Sequence, residues 1–158
     1  MADGAPHIGL WPLLTTFSGR ISRKPWWIGL LIYAALNIGG GMVLNPDYFF
    51  AEDIPPANVP DTLWQLFLLV PLTAITVKRG NDRNWPSWLA PAFVAANVFN
   101  LVAPFLGFEI GANATGVDRV LFWVLAVFLL ILFVDNGFMR GNDGPNRHGP
   151  DPLAPVAP

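Results

Sequence analysis

The chain has 158 residues, of which 53% are hydrophobic and only 13% are charged, whereas a soluble domain carries about 25% charged residues. This composition excludes an ordinary soluble globular protein and indicates a membrane protein. The net charge of -2 comes without a basic stripe, so we expect no nucleic-acid partner. Cysteine is absent and the two histidines, His7 and His148, lie far apart, so we expect no disulfide, no metal site and no cofactor.

Four apolar stretches follow one another along the chain, separated by turn residues. They run over 26–44, 62–77, 86–106 and 120–134, the last extended by Phe138 and Met139. These lengths approach the roughly 20 residues that cross a bilayer as a helix, although the second stretch is short and contains Pro71. Because no amphipathic helix remains to face water, a soluble bundle is the weaker interpretation. The sequence therefore predicts an all-α polytopic membrane protein with four transmembrane helices.

The segments before and after these stretches differ in character. Residues 1–25 hold Leu10, Leu13, Leu14 and Phe17 at helical spacing, which predicts a short helix in the membrane interface. This segment has neither a basic start nor a small-residue cleavage site after a long apolar run, so we expect it to stay on the mature protein. Residues 26–140 form the predicted transmembrane domain. Residues 141–158 are dense in Gly, Pro, Asn and Asp, and predict turns or disorder.

The distribution of charge predicts the orientation in the membrane. Eight of the nine Lys and Arg residues precede the first stretch, fill the loop after the second or follow the fourth, and Arg119 is the exception. By the positive-inside rule, both termini should be cytoplasmic. The acidic residues between Asn45 and Asp61 are spaced by prolines, which indicates a solvated outer loop without a cation site, since calcium loops need tighter alternate spacing.

Three motifs together resemble a known family. They are FSGRISR at 17–23 followed by Trp26-Trp27, then Arg79 with Asp82, Trp85 and Trp88, and lastly GPNRHGPDP at 144–152. This combination resembles the YhaH-like family of small bacterial inner-membrane proteins, which share a domain of unknown function, DUF805. The resemblance implies a four-helix inner-membrane protein with cytoplasmic termini, and it implies no activity. Where the family usually has Leu-His after the loop arginine, this chain has Gly80-Asn81.

The sequence Arg-Gly-Asn-Asp occurs twice, at 79–82 and at 140–143, each time after an even-numbered apolar stretch. One interpretation is helix capping, with Gly80 and Gly141 as left-handed C' residues and the cations at the negative end of the helix dipole. The other is a cluster on the inner face that binds an anion, a lipid phosphate or an acidic segment of a partner. The candidate residues of that cluster are Arg79, Asp82, Arg83, Arg140, Asp143 and Arg147.

Three further polar residues lie in or beside the apolar stretches. Asn97 and Asn100 are three residues apart on one face of the third, where amides most often bond across helices and less often line a path for a substrate. Asp135 lies near the inner membrane edge. We expect it to pair with Lys78, Arg79 or Arg140, with a proton-relay or ligand role as the alternative.

The sequence contains no catalytic signature. It has no Gly-x-Ser-x-Gly elbow, no phosphate-binding glycine loop and no His-Glu-x-x-His helix, so we expect no enzyme activity. Our leading hypothesis is a noncatalytic accessory or scaffold protein that binds membrane lipids, other integral membrane proteins or copies of itself. The alternative is a small oligomeric channel or transporter, although the stretches lack the charged residues that coupled transport normally requires.

Overall fold

The computed structural model describes residues 8–51, 56–109, 111 and 114–154. The helices, in chain order, are α1 (Leu10–Thr15), α2 (Arg23–Leu44), α3 (Asp47–Phe50), α4 (Val59–Asp82), α5 (Leu89–Val102), which continues as a 3-10 turn (Ala103–Leu106), and α6 (Gly116–Phe138). No strand occurs among the described residues. The prediction of an all-α protein is therefore confirmed, while His7, Glu52 and Asp53 lie outside the described residues.

Four of these helices are long and apolar enough to cross a membrane: α2, α4, α5 with its 3-10 turn, and α6. This confirms the four predicted spans. The largest difference concerns α4, which has 24 residues and begins and ends well beyond the predicted 62–77. At its start Asn58 accepts a hydrogen bond from the N–H of Asp61, a standard N-cap. At its end the charged residues continue the helix because their side chains are buried against other parts of the chain.

Helix α4 lies at the centre of the arrangement and contacts α1, α2, α5 and α6. The four spans run alternately in opposite directions. We call the end that carries Arg20, Asp82 and Gly141 the terminal end, and the end where α2 stops and α4 begins the loop end. The main core cluster lies towards the terminal end and is formed by Leu13, Ile21, Trp26 and Ile75.

Away from this core, large apolar side chains face outward. Helix α6 is the extreme case, since only 6% of its most apolar 18-residue stretch is buried. Val120, Val124 and Leu130 are each about 60% exposed, at 61%, 60% and 58%. A soluble monomer rarely exposes so continuous an apolar surface, whereas lipid tails cover such a surface in a bilayer.

Candidate functional site at the terminal end

Asp82, the last residue of α4, is the centre of a buried ion-pair network. Arg20 donates to Oδ1 from Nε at 3.1 Å and from Nη2 at 3.0 Å, and Arg79 donates to Oδ2 from Nη1. Arg79 reaches the carboxylate because residues three apart on a helix share a face. The side chains of Arg20 and Arg79 are 1% exposed and that of Asp82 is 4% exposed. We call these three residues, with the carbonyls that they bind, the Asp82 network.

Backbone carbonyls balance the second positive charge of the network. Arg79 donates from Nε to the carbonyl of Asn136 at 2.9 Å and from Nη2 to the carbonyl of Met139, both at the end of α6, where the helix dipole is negative. Arg20 donates to three carbonyls of the C-terminal segment: Asn142 at 2.6 Å, Gly144 at 2.7 Å and Gly149 at 3.2 Å. The network thus joins the segment before α2, the end of α4 and the residues after α6.

The glycines of the two Arg-Gly-Asn-Asp motifs have a different role from the predicted one. Gly80 lies inside α4, and neither it nor Gly141 has a positive φ, so the C' cap prediction is wrong. The left-handed residue after α4 is Asn84, with φ 55°, a conformation that asparagine tolerates better than most residues. Gly80 and Gly141 instead permit close approach. A Cβ at Gly80 would lie 2.3 Å from Cε3 of Trp85, and one at Gly141 would lie 2.0 Å from Oδ2 of Asp82.

Asp135 forms a second ion pair, beside the Asp82 network. Its carboxylate accepts from Arg83, at 2.9 Å from Nη2 and 3.2 Å from Nε, and from Nε1 of Trp85 at 2.8 Å. We expected Lys78, Arg79 or Arg140 as the partner, and this expectation is wrong. Arg79 lies one turn before Arg83 and already pairs with Asp82. Arg83 follows the end of α4, and its side chain extends towards α6. The side chains of this pair are about one-quarter exposed, at 26% and 24%.

Lys78 is fully buried and anchors α1. Its Nζ donates to the carbonyl of Pro12 at 2.5 Å, to the carbonyl of Leu13 at 2.7 Å and to Oγ1 of Thr16 at 3.3 Å. These acceptors lie at the C-terminal end of α1, which a cation stabilises. Although Lys78 lies in the last turns of α4, its charge thus stabilises the end of α1.

The residues after α6 fold as turns held on this surface. Asn146 pairs with Gly149 through two backbone hydrogen bonds of 3.0 Å and donates from its side chain to the carbonyl of Asn81 at 2.9 Å. The N–H groups of Leu153 and Gly144 donate to Asp151 and lower the pKa of its carboxyl below 3.8. Since these bonds favour the charged form, they stabilise the turns at neutral pH and weaken only as the pH falls through that lowered pKa. The motif Gly-Pro-Asn-Arg-His-Gly-Pro-Asp is therefore the part of the segment that packs on the bundle.

The six candidate anion-binding residues fall into two groups. Arg79, Asp82 and Arg83 make contacts within the protein, as described above. Arg140 and Asp143 are 76% exposed and pair with each other at 3.0 Å. Arg147 is exposed; it donates to Nε2 of His148 at 2.9 Å and also to the carbonyl of Trp85. Arg20 belongs to the Asp82 network but not to the six candidates predicted from sequence, although it lies in the FSGRISR motif.

Asn97 and Asn100 form no interhelical hydrogen bond with the described residues. Asn97 donates to the carbonyl of Phe93, one turn earlier in α5, at 2.8 Å, and Asn100 is exposed. The expected amide contact between helices is thus absent from this part of a single chain. Within the described ranges, no group of three His, Asp or Glu residues could hold a metal ion.

Together, the fold and the buried network define a four-span, all-helical membrane protein whose N-terminal and C-terminal segments are joined to the end of α4. The chain belongs to a family of proteins of unknown function, DUF805, whose family model matches residues 14–150. The Uncharacterized protein YiiR of Escherichia coli K12 is 30% identical over 142 residues, which cover 87% of this chain and 86% of YiiR. YiiR of Escherichia coli O157:H7 matches to the same extent, and no solved structure matches. The family prediction is confirmed for DUF805, whereas the narrower YhaH-like name is not confirmed.

Proposed function

We propose that this chain is a noncatalytic accessory protein of the bacterial inner membrane that binds anionic lipid headgroups at its terminal end. The observation that carries the proposal is how the cations divide. Arg20, Arg79 and Arg83 are bound within the protein. Arg23, Lys24, Arg140 and Arg147 are exposed on the same end. The buried cations thereby hold the structure in place, and the exposed cations are available for a ligand.

The position of these cations favours lipid over a soluble anion. Lys24 lies in the first turn of α2, and Arg140 follows Phe138, the last residue of α6, by two positions. Both therefore border apolar spans, at the level where phosphate headgroups would lie. A cation near an anionic membrane surface contributes about 1 kcal/mol. Arg140 can exchange its exposed partner Asp143 at little cost, because surface ion pairs contribute about 0 to 1 kcal/mol.

Two of the carboxylates at this end, Asp82 and Asp135, support a role without catalysis. Asp82 is held by two guanidinium groups, and Asp135 by a guanidinium and an indole N–H. A general base needs a free lone pair within reach of the proton that it removes. These two carboxylates instead hold the protein together.

The orientation that we propose places both termini in the cytoplasm. Since the chain has no cysteine, single substitutions Ala57→Cys and Pro145→Cys at exposed positions report on one end each. In intact spheroplasts, the cysteine at position 57 should react with an impermeant maleimide, and the cysteine at 145 should react only after lysis. The reverse labelling pattern would contradict the proposed orientation.

The lipid proposal predicts that removing three of the four exposed cations at the terminal end weakens binding of an anionic lipid. The triple variant Lys24→Gln, Arg140→Gln, Arg147→Gln should retain phosphatidylglycerol roughly a hundredfold less well, because three cations at about 1 kcal/mol each contribute about 3 kcal/mol. Native mass spectrometry of the purified protein measures this. Arg119→Gln, which removes a cation elsewhere in the chain, is the matched control and should leave retention unchanged. If the triple variant retained the lipid as wild type does but lost a co-purified protein, the ligand of this surface would be a protein and not a lipid.

The alternative, an oligomeric channel or transporter, has one supporting observation. Asn100 is exposed on α5, where an amide facing lipid is unfavourable and several copies could turn it towards a shared path. The same protein in sealed vesicles would then conduct ions, and Asn100→Leu would abolish the flux.

A further inference from the structure

The loop end holds a polar cavity between α2 and α4. Its volume is about 170 Å³, and it is lined mainly by Asn37, Asn45, Tyr48, Phe49, Asp61 and Gln65. A cavity of roughly 150 Å³ is enough to hold a benzene molecule. The space therefore accommodates a small organic group and not only a single ion. The sequence predicted a solvated loop here, and α3 together with Asp61 forms part of the wall instead.

Local hydrogen bonds hold the walls in place. Asn58 joins them, because its Nδ2 donates to the carbonyl of Leu44 at 3.0 Å while its Oδ1 accepts from the N–H of Asp61 at 3.3 Å. On the other side, the N–H of Tyr48 donates to the carbonyl of Asn45 at 3.1 Å, which starts the turn of α3. The cavity is thus built by α2 and α4 near the loop end, together with α3.

The lining lacks partners for several polar groups. Asn45 is 8% exposed, and its side chain makes no hydrogen bond with any described residue, nor does that of Asn37. Asp61 accepts from Nε2 of Gln65 at 2.8 Å, but no Lys or Arg lines the cavity and none pairs with Asp61 in the described ranges. Neither amide belongs to the enclosed side-chain groups that lack a partner, so the polar atoms of Asn37 and Asn45 are accessible to a ligand in the cavity. Unpartnered amides around a carboxylate therefore point to a bound group that donates hydrogen bonds and carries positive charge.

The number and type of oxygen atoms in the lining indicate which kind of cation the cavity can bind. A calcium site takes six to eight oxygen ligands, several of them from carboxylates, whereas the described lining holds one carboxylate and three amides. A primary ammonium has three N–H donors, which match Asp61 and the amide oxygens. The rings of Tyr48 and Phe49 favour an organic cation further, through attraction to their π-faces. We propose that this cavity binds the ammonium group of a small amine, either free or as the headgroup of phosphatidylethanolamine.

The test uses the full chain in detergent and two probes. Ethanolamine is titrated by calorimetry, and phosphatidylethanolamine retention is followed by native mass spectrometry. Asp61→Asn should weaken binding at least about tenfold, since charge-assisted hydrogen bonds are roughly twice as strong as neutral ones. Asn37→Ala should weaken binding by about three- to tenfold through loss of one neutral hydrogen bond. Its side chain has no partner among the described residues, so this variant is expected to fold.

Asp118→Asn is the matched control. Asp118, like Asp61, lies in the first turn of a long helix, but it accepts from the N–H of Glu109 outside the cavity. Binding of ethanolamine itself identifies a free amine as the ligand, and retention of the lipid without ethanolamine binding identifies the headgroup. If neither probe binds, if sodium binds in place of both, or if Asp61→Asn and Asn37→Ala bind as wild type does, the proposal is overturned.

Discussion

Replacing Asp82 with asparagine should lower the free energy of unfolding by about 3 to 5 kcal/mol, the cost of breaking a buried ion pair. The carboxylate is 4% exposed and receives hydrogen bonds from two guanidinium groups that are themselves 1% exposed. Asparagine has one acceptor oxygen, and its amide N–H groups would face the donors of Arg20 or Arg79. Denaturation in mixed micelles measures the change.

The matched control for this prediction is Asp143→Asn. Asp143 occupies the same place in the second Arg-Gly-Asn-Asp motif, but its ion pair with Arg140 is 76% exposed. Such surface pairs contribute about 0 to 1 kcal/mol, so this variant should be nearly as stable as wild type. Equal effects of the two substitutions would contradict the buried network as the main link between the helix ends.

Loss of Asp82 should also release the residues after α6. Arg20 holds the carbonyls of Asn142 and Gly144, and the N–H of Asn142 donates to the carbonyl of Asp82 at 2.9 Å. Without its carboxylate partner, Arg20 would be a buried unpaired charge, which is costly. Its side chain should therefore leave this position. Amide hydrogen exchange at Asn142 and Gly144 should therefore accelerate in Asp82→Asn before the spans themselves unfold.

The spans could be predicted from sequence because their signal is local. Apolar runs of nearly 20 residues identify transmembrane helices without any knowledge of neighbours, and all four were found. The helix ends were harder. The predicted end of the second span, Val77, precedes three charged residues that hydropathy assigns to water. They remain helical because Lys78, Arg79 and Asp82 are buried against α1, α6 and Arg20.

The partners of the charged residues could not be predicted for the same reason. Arg20 and Asp82 are 62 positions apart, and Arg83 and Asp135 are 52 apart. Nothing in the local pattern selects Arg83 over Lys78 or Arg140 as the partner of Asp135. The charge distribution predicted only that these residues meet at one end of the bundle. The structure adds which of them are buried, and this separates internal links from the exposed candidates Arg140 and Arg147.

Gly80→Ala tests whether the glycine of the first Arg-Gly-Asn-Asp motif is required for close packing against Trp85. In an open helix interior, alanine stabilises by up to about 1 kcal/mol relative to glycine. Here the new Cβ would lie 2.3 Å from Cε3 and 2.5 Å from Cδ2 of Trp85. The indole cannot simply move aside, since its Nε1 donates to Asp135 at 2.8 Å. We expect a net loss of about 1 to 3 kcal/mol, the usual cost of overpacking.

Gly39→Ala in α2 is the control that fixes the sign of this effect. No atom lies within 4 Å of the Cβ that it would add, so only the helix propensity changes and the variant should be as stable as wild type or more stable. Tryptophan fluorescence gives a second readout, because displacing the Trp85 indole from Asp135 should shift the emission of Gly80→Ala but not that of Gly39→Ala. If both alanines stabilised the protein equally, Trp85 would not pack on Gly80, and the link from α4 through Trp85 to Asp135 and α6 would have to be abandoned.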